Sequence, residues 1–276
     1  MNEVFNQMMA LHKRTGVDGE RNALYEVMQQ IVLCGLYRGG FFNEAAFYGG
    51  TCLRIFYGLK RYSEDMDFTL LSKNPQFSLE KFFPAIIEEA RLLGREIIIT
   101  KKDKRNFGTV ESAFLKDNTD VYDLSFKTER TLKIKIEVDI NPPLKFKTEQ
   151  KLLMLPFSFN TRCMVPSDLF AGKMHALLFR QWKNRIKGRD WYDFEWYVRN
   201  RVPLDFVHLQ ERTLEFNGIE LTKDSFKQML KERFAKADIR QVKDDVLPFI
   251  ENVHEMDIWS IDYFIQLVDM IVFVEE

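Results

Sequence analysis

Apolar and polar positions change period along this chain. Residues 20 to 37, "ERNALYEVMQQIVLCGLY", place Leu24, Val27, Met28, Ile31, Val32 and Leu36 three and four apart, which predicts a helix packed on one face and stopped by Gly39-Gly40. "AAFYGG" then predicts a very short strand running into a turn, "TCLRIFYGL" a short helix, and "EDMDFTLL" a strand of alternating character. An amphipathic helix over 79–93 and a strand at "REIIITKK" follow. Three more extended segments are "FGTVESAFL", "YDLSFKT" and "TLKIKIEVDI", the last alternating strictly from Leu132 to Ile140 and ended by Pro142-Pro143.

"KLLMLPF" and "RCMVP" add two short apolar strands or connectors. From Pro166 the period becomes helical, with helices expected near 167–183, 190–199, 204–213, 223–234, 240–252 and 258–273. The change near residue 165 divides the chain into residues 1–165, with strands and helices, and an all-helical half, residues 166–276.

A chain of 276 residues, 46% hydrophobic and with only 8 Pro and 13 Gly, is able to bury a substantial core. Its 25 Phe are expected mostly as core filling. The formal net charge of -1 gives no long-range attraction for a polyanion, so any such site must be local. Cys34, Cys52 and Cys163 are odd in number and far apart, which fits neither a disulfide framework nor a CxxC zinc site and points to a reducing compartment. The start "MNEVFNQMMALHKR" lacks the pattern of a secretory signal, and the apolar runs "IVLCGLY" and "MIVFV" are too short to span a bilayer. The expectation is a cytoplasmic protein.

Asp65 and Asp67 project from the same face of their strand, with Cα atoms ~6.5 to 7 Å apart. Two such carboxylates raise one another's pKa unless a cation lies between them, and hard oxygen pairs suit Mg2+ with nucleotide phosphates. Alone, an Asp-x-Asp is as well explained by the solvent face of an edge strand. Its neighbours change the balance. Gly49-Gly50-Thr51 sets flexible backbone, amide N–H groups and a hydroxyl at a helix start, a suitable cradle for phosphate. Ser63 shares the face of Asp65 if the strand extends that far. A third acid is available at Glu137 or Asp139, both on the polar face of "KIKIEVDI". Two-metal phosphoryl transfer needs about three carboxylates from neighbouring strands.

In the helical half, Lys173 shares a face with Phe170, Leu177 and Arg180, and among apolar neighbours it needs an anionic partner. Asp190 and Asp193 lie three apart on one helix face, Asp190 in the first turn where an acid favours the helix N-terminus. Between residues 173 and 201 eight basic side chains (Lys173, Arg180, Lys183, Arg185, Lys187, Arg189, Arg199 and Arg201) face three acids (Asp190, Asp193 and Glu195), the local excess that an RNA acceptor requires. "KKDKR" at 101–105 is a weaker basic cluster, and His12, His175, His208 and His254 make no metal or base–nucleophile spacing.

A glycine turn and short helix, then Asp-x-Asp on the next strand with a later third acid, resembles the nucleotidyltransferase fold of the polymerase-beta type. "GGTCLR" with "RYSEDMDF", followed by "KMHALL" and "GRDWYDF", resembles the AbiEii family of toxin nucleotidyltransferases, and the blocks span residues 47–194. Thr51 stands where many nucleotidyltransferases have serine. The resemblance implies an α+β fold, a mixed sheet flanked by helices with a helical half that completes the nucleotide site. It implies an Mg2+-dependent (or Mn2+-dependent) enzyme of a type IV-like toxin–antitoxin or abortive-infection system, moving a nucleoside monophosphate from an NTP to an RNA, such as tRNA, with a cognate antitoxin as partner.

In that scheme Asp65, Asp67 and one of Glu137 and Asp139 hold metal, Gly49, Gly50, Thr51 and Ser63 contact phosphate, and Lys173 neutralises it. Asp190 is assigned to the nucleotide, Asp193 positions the nucleotide or Lys173, and Arg180, Lys183, Arg185, Lys187 and Arg189 meet RNA. Two other readings of the same residues are a catalytically silent RNA- or antitoxin-binding protein and a glycosyltransferase. The second expects a longer doubly wound sheet before residue 65 than the chain has strands for.

Overall fold

The computed structural model describes residues 2–12, 19–101, 119–126, 132–181 and 186–275. The expected strand "FGTVESAFL", most of "KKDKR", and Lys183 and Arg185 lie outside them. The chain divides into two compact units, residues 1–58, 62–144 and 148–163 in the first, and residues 59–61, 145–147 and 164–276 in the second.

The first unit is built on a seven-stranded mixed sheet in the order β3-β4-β5-β2-β1-β7-β6. Its strands are β1 (Ala45–Tyr48), β2 (Met66–Leu70), β3 (Ile97–Lys101), β4 (Thr119–Phe126), β5 (Leu132–Asp139), β6 (Thr148–Leu153) and β7 (Phe159–Met164). The helices of this unit are α1 (Glu3–Leu11), α2 (Gly19–Arg38), α3 (Gly49–Tyr57) and α4 (Phe83–Leu92). β2 runs antiparallel to β1 and parallel to β5, so it lies in the interior of the sheet, where both ladders are paired.

The alternation of β5 is realised as predicted: Ile134, Ile136 and Val138 are buried, while Lys133, Lys135, Glu137 and Asp139 take the other face. On β2, Met66 and Phe68 are fully buried behind Asp67. Phe68 anchors an aromatic cluster, with ring centroids 5.0 Å from Phe41 and 5.0 Å from Phe47, its register partner on β1. Edge and offset ring contacts of this kind fix the strand's position as well as burying it.

Helix α2 corrects the expectation of a one-sided helix. It is buried on nearly every side, including Tyr25, Glu26, Gln29, Leu33, Cys34 and Gly35, whereas Leu24 of the expected stripe is only half-buried. The cause is packing on more than one side. A Cβ on Gly35 would stand 2.6 Å from the Ile86 Cα of α4, so only glycine allows these two backbones to meet. Polar residues on the remaining sides of α2 are buried with partners, as described below.

The second unit consists of helices α5 (Pro166–Phe179), α6 (Gly188–Arg199), α7 (Phe206–Asn217), α8 (Lys223–Ala235), α9 (Ile239–Val246) and α10 (Ile261–Asp269), with short 3-10 turns. The helix expected over 240–252 ends at Val246, where Leu247-Pro248-Phe249 tightens into a 3-10 turn. The one expected over 258–273 is limited to 261–269, with a Ser260 cap at its start and a parallel bridge from Phe273 to Leu204 beyond its end. Trp191 of α6 forms the centre of this unit's core, 4.4 Å from Phe234 and 4.7 Å from Phe264 between ring centroids, and Phe170 stacks on Tyr197 at 4.4 Å.

Candidate active site

Strand register decides what the polar face of the first unit's sheet can do. Tyr48 is opposite Asp67, so the end of β1 delivers the glycine turn to the start of β2. There Gly49 has φ +81°, a left-handed backbone that glycine adopts without penalty. A Cβ at this position would overlap Asp67 Oδ2 and lie 3.0 Å from Asp67 Cγ, so the bare α-carbon gives the carboxylate its place. Helix α3 begins immediately, and its N-cap, Tyr48, supplies no side-chain capping bond to the first-turn amides.

On the other side of β2, Asp67 is paired with Glu137 and Thr69 with Asp139. Period-two alternation puts Glu137 and Asp139 on one face, but the register separates them. Glu137 is beside Asp67, and Asp139 is one full strand repeat further along, its Oδ1 accepting a bond of 3.1 Å from the Asn141 N–H.

Lys135, which the sequence had not singled out, enters this face. Its Nζ is 2.7 Å from Glu137 Oε1 and 3.6 Å from Asp65 Oδ2, with the side chains of Lys135, Asp65 and Glu137 27%, 41% and 21% exposed. Burial alone would lower the ammonium's pKa, but Glu137, Asp65 and Asp67 more than offset it and hold the group charged. Among the described residues no three Asp, Glu, His or Cys side chains are closed into a metal cage as they stand, and at Asp65 and Glu137 the cation between the carboxylates is this ammonium.

Thr51 and Ser63 are placed differently from the expectation of two hydroxyls facing phosphate. Thr51 is fully buried and its hydroxyl donates to the backbone carbonyl of Asp65. Ser63 is not on the strand, because β2 begins at Met66. The carbonyls of Ser63 and Glu64 instead accept bonds of 2.9 and 3.1 Å from Gln29 Nε2 of α2, which occupies acceptors that a longer strand would have used in a ladder. Gln29 and Thr51 together hold the backbone leading into the Asp-x-Asp. Arg54, the arginine of "GGTCLR", binds Glu26 of α2 and stacks over the Tyr62 ring at 4.4 Å, while His12 Nδ1 is 2.9 Å from the same carboxylate. Burial would raise the Glu26 pKa, but His12 and Arg54 together bring it below the usual carboxylate range.

The helical unit contains a second polar centre. Lys173 Nζ of α5 is 2.7 Å from Asp190 Oδ1 and 2.8 Å from Asp193 Oδ2 of α6, so the anion it needs is supplied by these two acids. Arg61, which belongs to this unit, donates Nε and Nη2 to the two oxygens of Asp193 at 2.6 and 2.7 Å, and Arg180 Nη1 is 2.8 Å from Asp190 Oδ2. Both carboxylates are buried. Burial would raise their pKa values, yet Arg180, Lys173 and Lys187 at Asp190, and Arg61 and Lys173 at Asp193, drive them below the ordinary range.

Three cations on two carboxylates leave this centre positive, and Lys187 shows the consequence. Burial and then Arg180 push its ammonium down to about 8. Arg189 is 3.9 Å from Asp245 and lies over the Phe249 ring at 4.0 Å. Of the expected RNA-facing residues, Arg180 and Arg189 are therefore engaged inside the unit.

The Gly-Gly turn, the Asp-x-Asp at the start of β2 and the adjacent acid-bearing parallel strand make the arrangement expected of a nucleotidyltransferase fold. Solved structures agree on the fold. Two Helicobacter pylori structures are similar, one described as a nucleotidyltransferase (17% identity, 91% of this chain and 93% of that one, TM-score 0.51) and one as JHP933 (17%, 91% and 90%, 0.52). MenT4, a nucleotidyltransferase toxin from Mycobacterium tuberculosis H37Rv, is similar at 15% identity over 95% of this chain and 86% of that one, TM-score 0.53. No curated protein matches the chain.

The particular family is set by sequence. Residues 31–267 match the model of the nucleotidyl transferase AbiEii toxin of type IV toxin–antitoxin systems, and the chain belongs to that family. It is a toxin-type nucleotidyltransferase, which implies an NTP substrate, a divalent metal and an antitoxin partner. No described helix is long and apolar enough to cross a membrane.

Proposed function

We propose that this chain transfers a nucleoside monophosphate from an NTP to a hydroxyl of an RNA in the cytoplasm, with tRNA as the acceptor class implied by the family resemblance, and that its metal is Mg2+ or Mn2+. One observation carries the reading: the β2–β5 register sets Glu137 beside Asp67 at the end of the sheet where the glycine turn opens, with Asp65, one residue ahead of β2, within salt-bridge distance of the same Lys135 ammonium as Glu137. The donor set fits a hard divalent cation, because it is all carboxylate oxygen and already accommodates positive charge in the form of Lys135. Asp65, Asp67 and Glu137 are the metal ligands in this reading, and Asp139 is not.

When bound, the metal supplies charge neutralisation at the triphosphate and a lowered pKa for the acceptor hydroxyl. The chain's own residues do the rest. The first-turn amides of α3, at Gly50 and Thr51, bind phosphate oxygens, and Gly49 keeps the turn open to them. Thr51 and Gln29 fix the backbone that presents Asp65 and Asp67. The acceptor oxygen forms a bond to the α-phosphorus, the bond from that phosphorus to the bridging oxygen of the β-phosphate breaks, and pyrophosphate leaves. The hydroxyl proton passes to a carboxylate of the acid face.

In the helical unit, Lys173, held by Asp190 and Asp193, and Arg180 make up a cationic centre, and Lys183, Arg185 and Lys187 are the candidates to meet RNA. The test is incubation with each α-labelled NTP, Mg2+ and total RNA, beside Asp65→Ala/Asp67→Ala. Label on RNA with wild type alone supports the reading. RNA binding without labelling by any NTP would instead make the chain a silent binding protein.

A further inference from the structure

The acid face of β2 and β5 has a cation of its own, and its position carries a consequence for the metal count. Lys135 is two residues before Glu137 on β5, so both side chains leave the same face, and the ammonium is within salt-bridge distance of Glu137 and of Asp65, the residue just ahead of β2. Asp65, Asp67 and Glu137 with Lys135 leave two negative charges, which one divalent ion neutralises; a second divalent ion would leave the face two charges positive before any nucleotide arrives. A lysine ammonium is a compact point charge able to stand where a small metal ion would.

We propose that Lys135 occupies the second cation position of this face, so that the protein binds a single divalent ion at Asp65, Asp67 and Glu137. This rests on the metal reading given above. In catalysis Lys135 is then a positioning residue: its ammonium holds Glu137 and Asp65 in place and provides the positive charge that another ion would otherwise bring. The charge is carried by the chain itself, so it is present at any metal concentration.

The experiment is a titration of the full chain with Mn2+ alone, following free Mn2+ by electron paramagnetic resonance, in wild type, Lys135→Met, Lys135→Arg and Asp65→Asn/Asp67→Asn. Circular dichroism checks that each variant is folded. Ions that the double variant still binds are background and are subtracted. Wild type and Lys135→Arg are expected to bind one Mn2+ per chain, and Lys135→Met two. Two ions in wild type, or a single ion in Lys135→Met at unchanged or tighter Kd, overturns the inference while leaving the metal site standing. Equal binding by wild type and the double variant removes the metal site itself, and the inference with it.

Discussion

Replacing Gly49 by alanine probes the contact between the glycine turn and Asp67 of β2, and the chain contains its own control. Gly49 and Gly58 stand at the two ends of α3 with nearly equal backbone angles, φ +81° and +80°. An alanine at either position meets the same left-handed penalty, roughly 1 to 2 kcal/mol. The surroundings differ. A Cβ at Gly58 meets nothing within 4 Å, whereas one at Gly49 overlaps Asp67 Oδ2 and lies 3.0 and 3.1 Å from Asp67 Cγ and Cβ.

Gly58→Ala is therefore expected to lower stability by about 1 kcal/mol, a fall in Tm of a few degrees for a domain of this size, with activity within about threefold of wild type. Gly49→Ala is expected to displace the Asp67 carboxylate by an ångström or so, and misplacement of that order costs about a hundredfold in rate. Urea denaturation measures the first quantity and label transfer from NTP to RNA the second. Equal activity losses in the two variants would refute the idea that Gly49 is required by Asp67, and would reduce both glycines to ordinary helix-end residues.

Other expectations follow from the same geometry. Arg61→Met leaves Asp193 buried without its bidentate partner and is expected to destabilise by about 3 to 5 kcal/mol in urea unfolding, with Arg61→Met/Asp193→Leu recovering a large part of the loss. Because the folded pKa values of Asp190 and Asp193 are depressed, the stability they contribute is complete above their unfolded values near 4 and declines as pH falls below them; in Asp193→Asn the unfolding free energy should show a shallower acid limb. His208 has the same sign for a different reason: burial pushes its imidazole down to about 3, so folding is penalised as pH falls from about 6.5 towards 3, and His208→Phe should flatten that part of the urea-derived profile. Thr51→Val removes the hydroxyl that holds the Asp65 carbonyl and should cost about 1 to 2 kcal/mol in stability together with a measurable loss of transfer rate.

The local patterns carried the architecture. Alternation in "LKIKIEVD" located β5 and its buried face, and the three- and four-residue spacing after Pro166 located the helical half, because both depend on nearest-neighbour geometry. Helix α2 was misread as one-sided because its polar residues are buried against distant partners, Glu26 with Arg54 and Gln29 with the carbonyls of residues 63 and 64, which no periodicity displays.

The choice between Glu137 and Asp139 was beyond the sequence for a related reason. Two residues of equal parity share a face in any register, and only the pairing of β2 with β5 separates them. Arg61 carried a signal in its motif, the arginine of "RYSEDMDF", but its role depends on Asp193, 132 residues away. Lys135 carried one as well, as a lysine on the acid-bearing face of an alternating strand.

The most direct measurement compares Glu137→Gln with Asp139→Asn in label transfer from α-labelled NTP to RNA, each variant matched to wild type in Tm. The register predicts that Glu137→Gln loses at least about a hundredfold in rate while Asp139→Asn stays within about threefold. The reverse order, or full activity in Glu137→Gln, would contradict the assignment of the acid face to Asp65, Asp67 and Glu137.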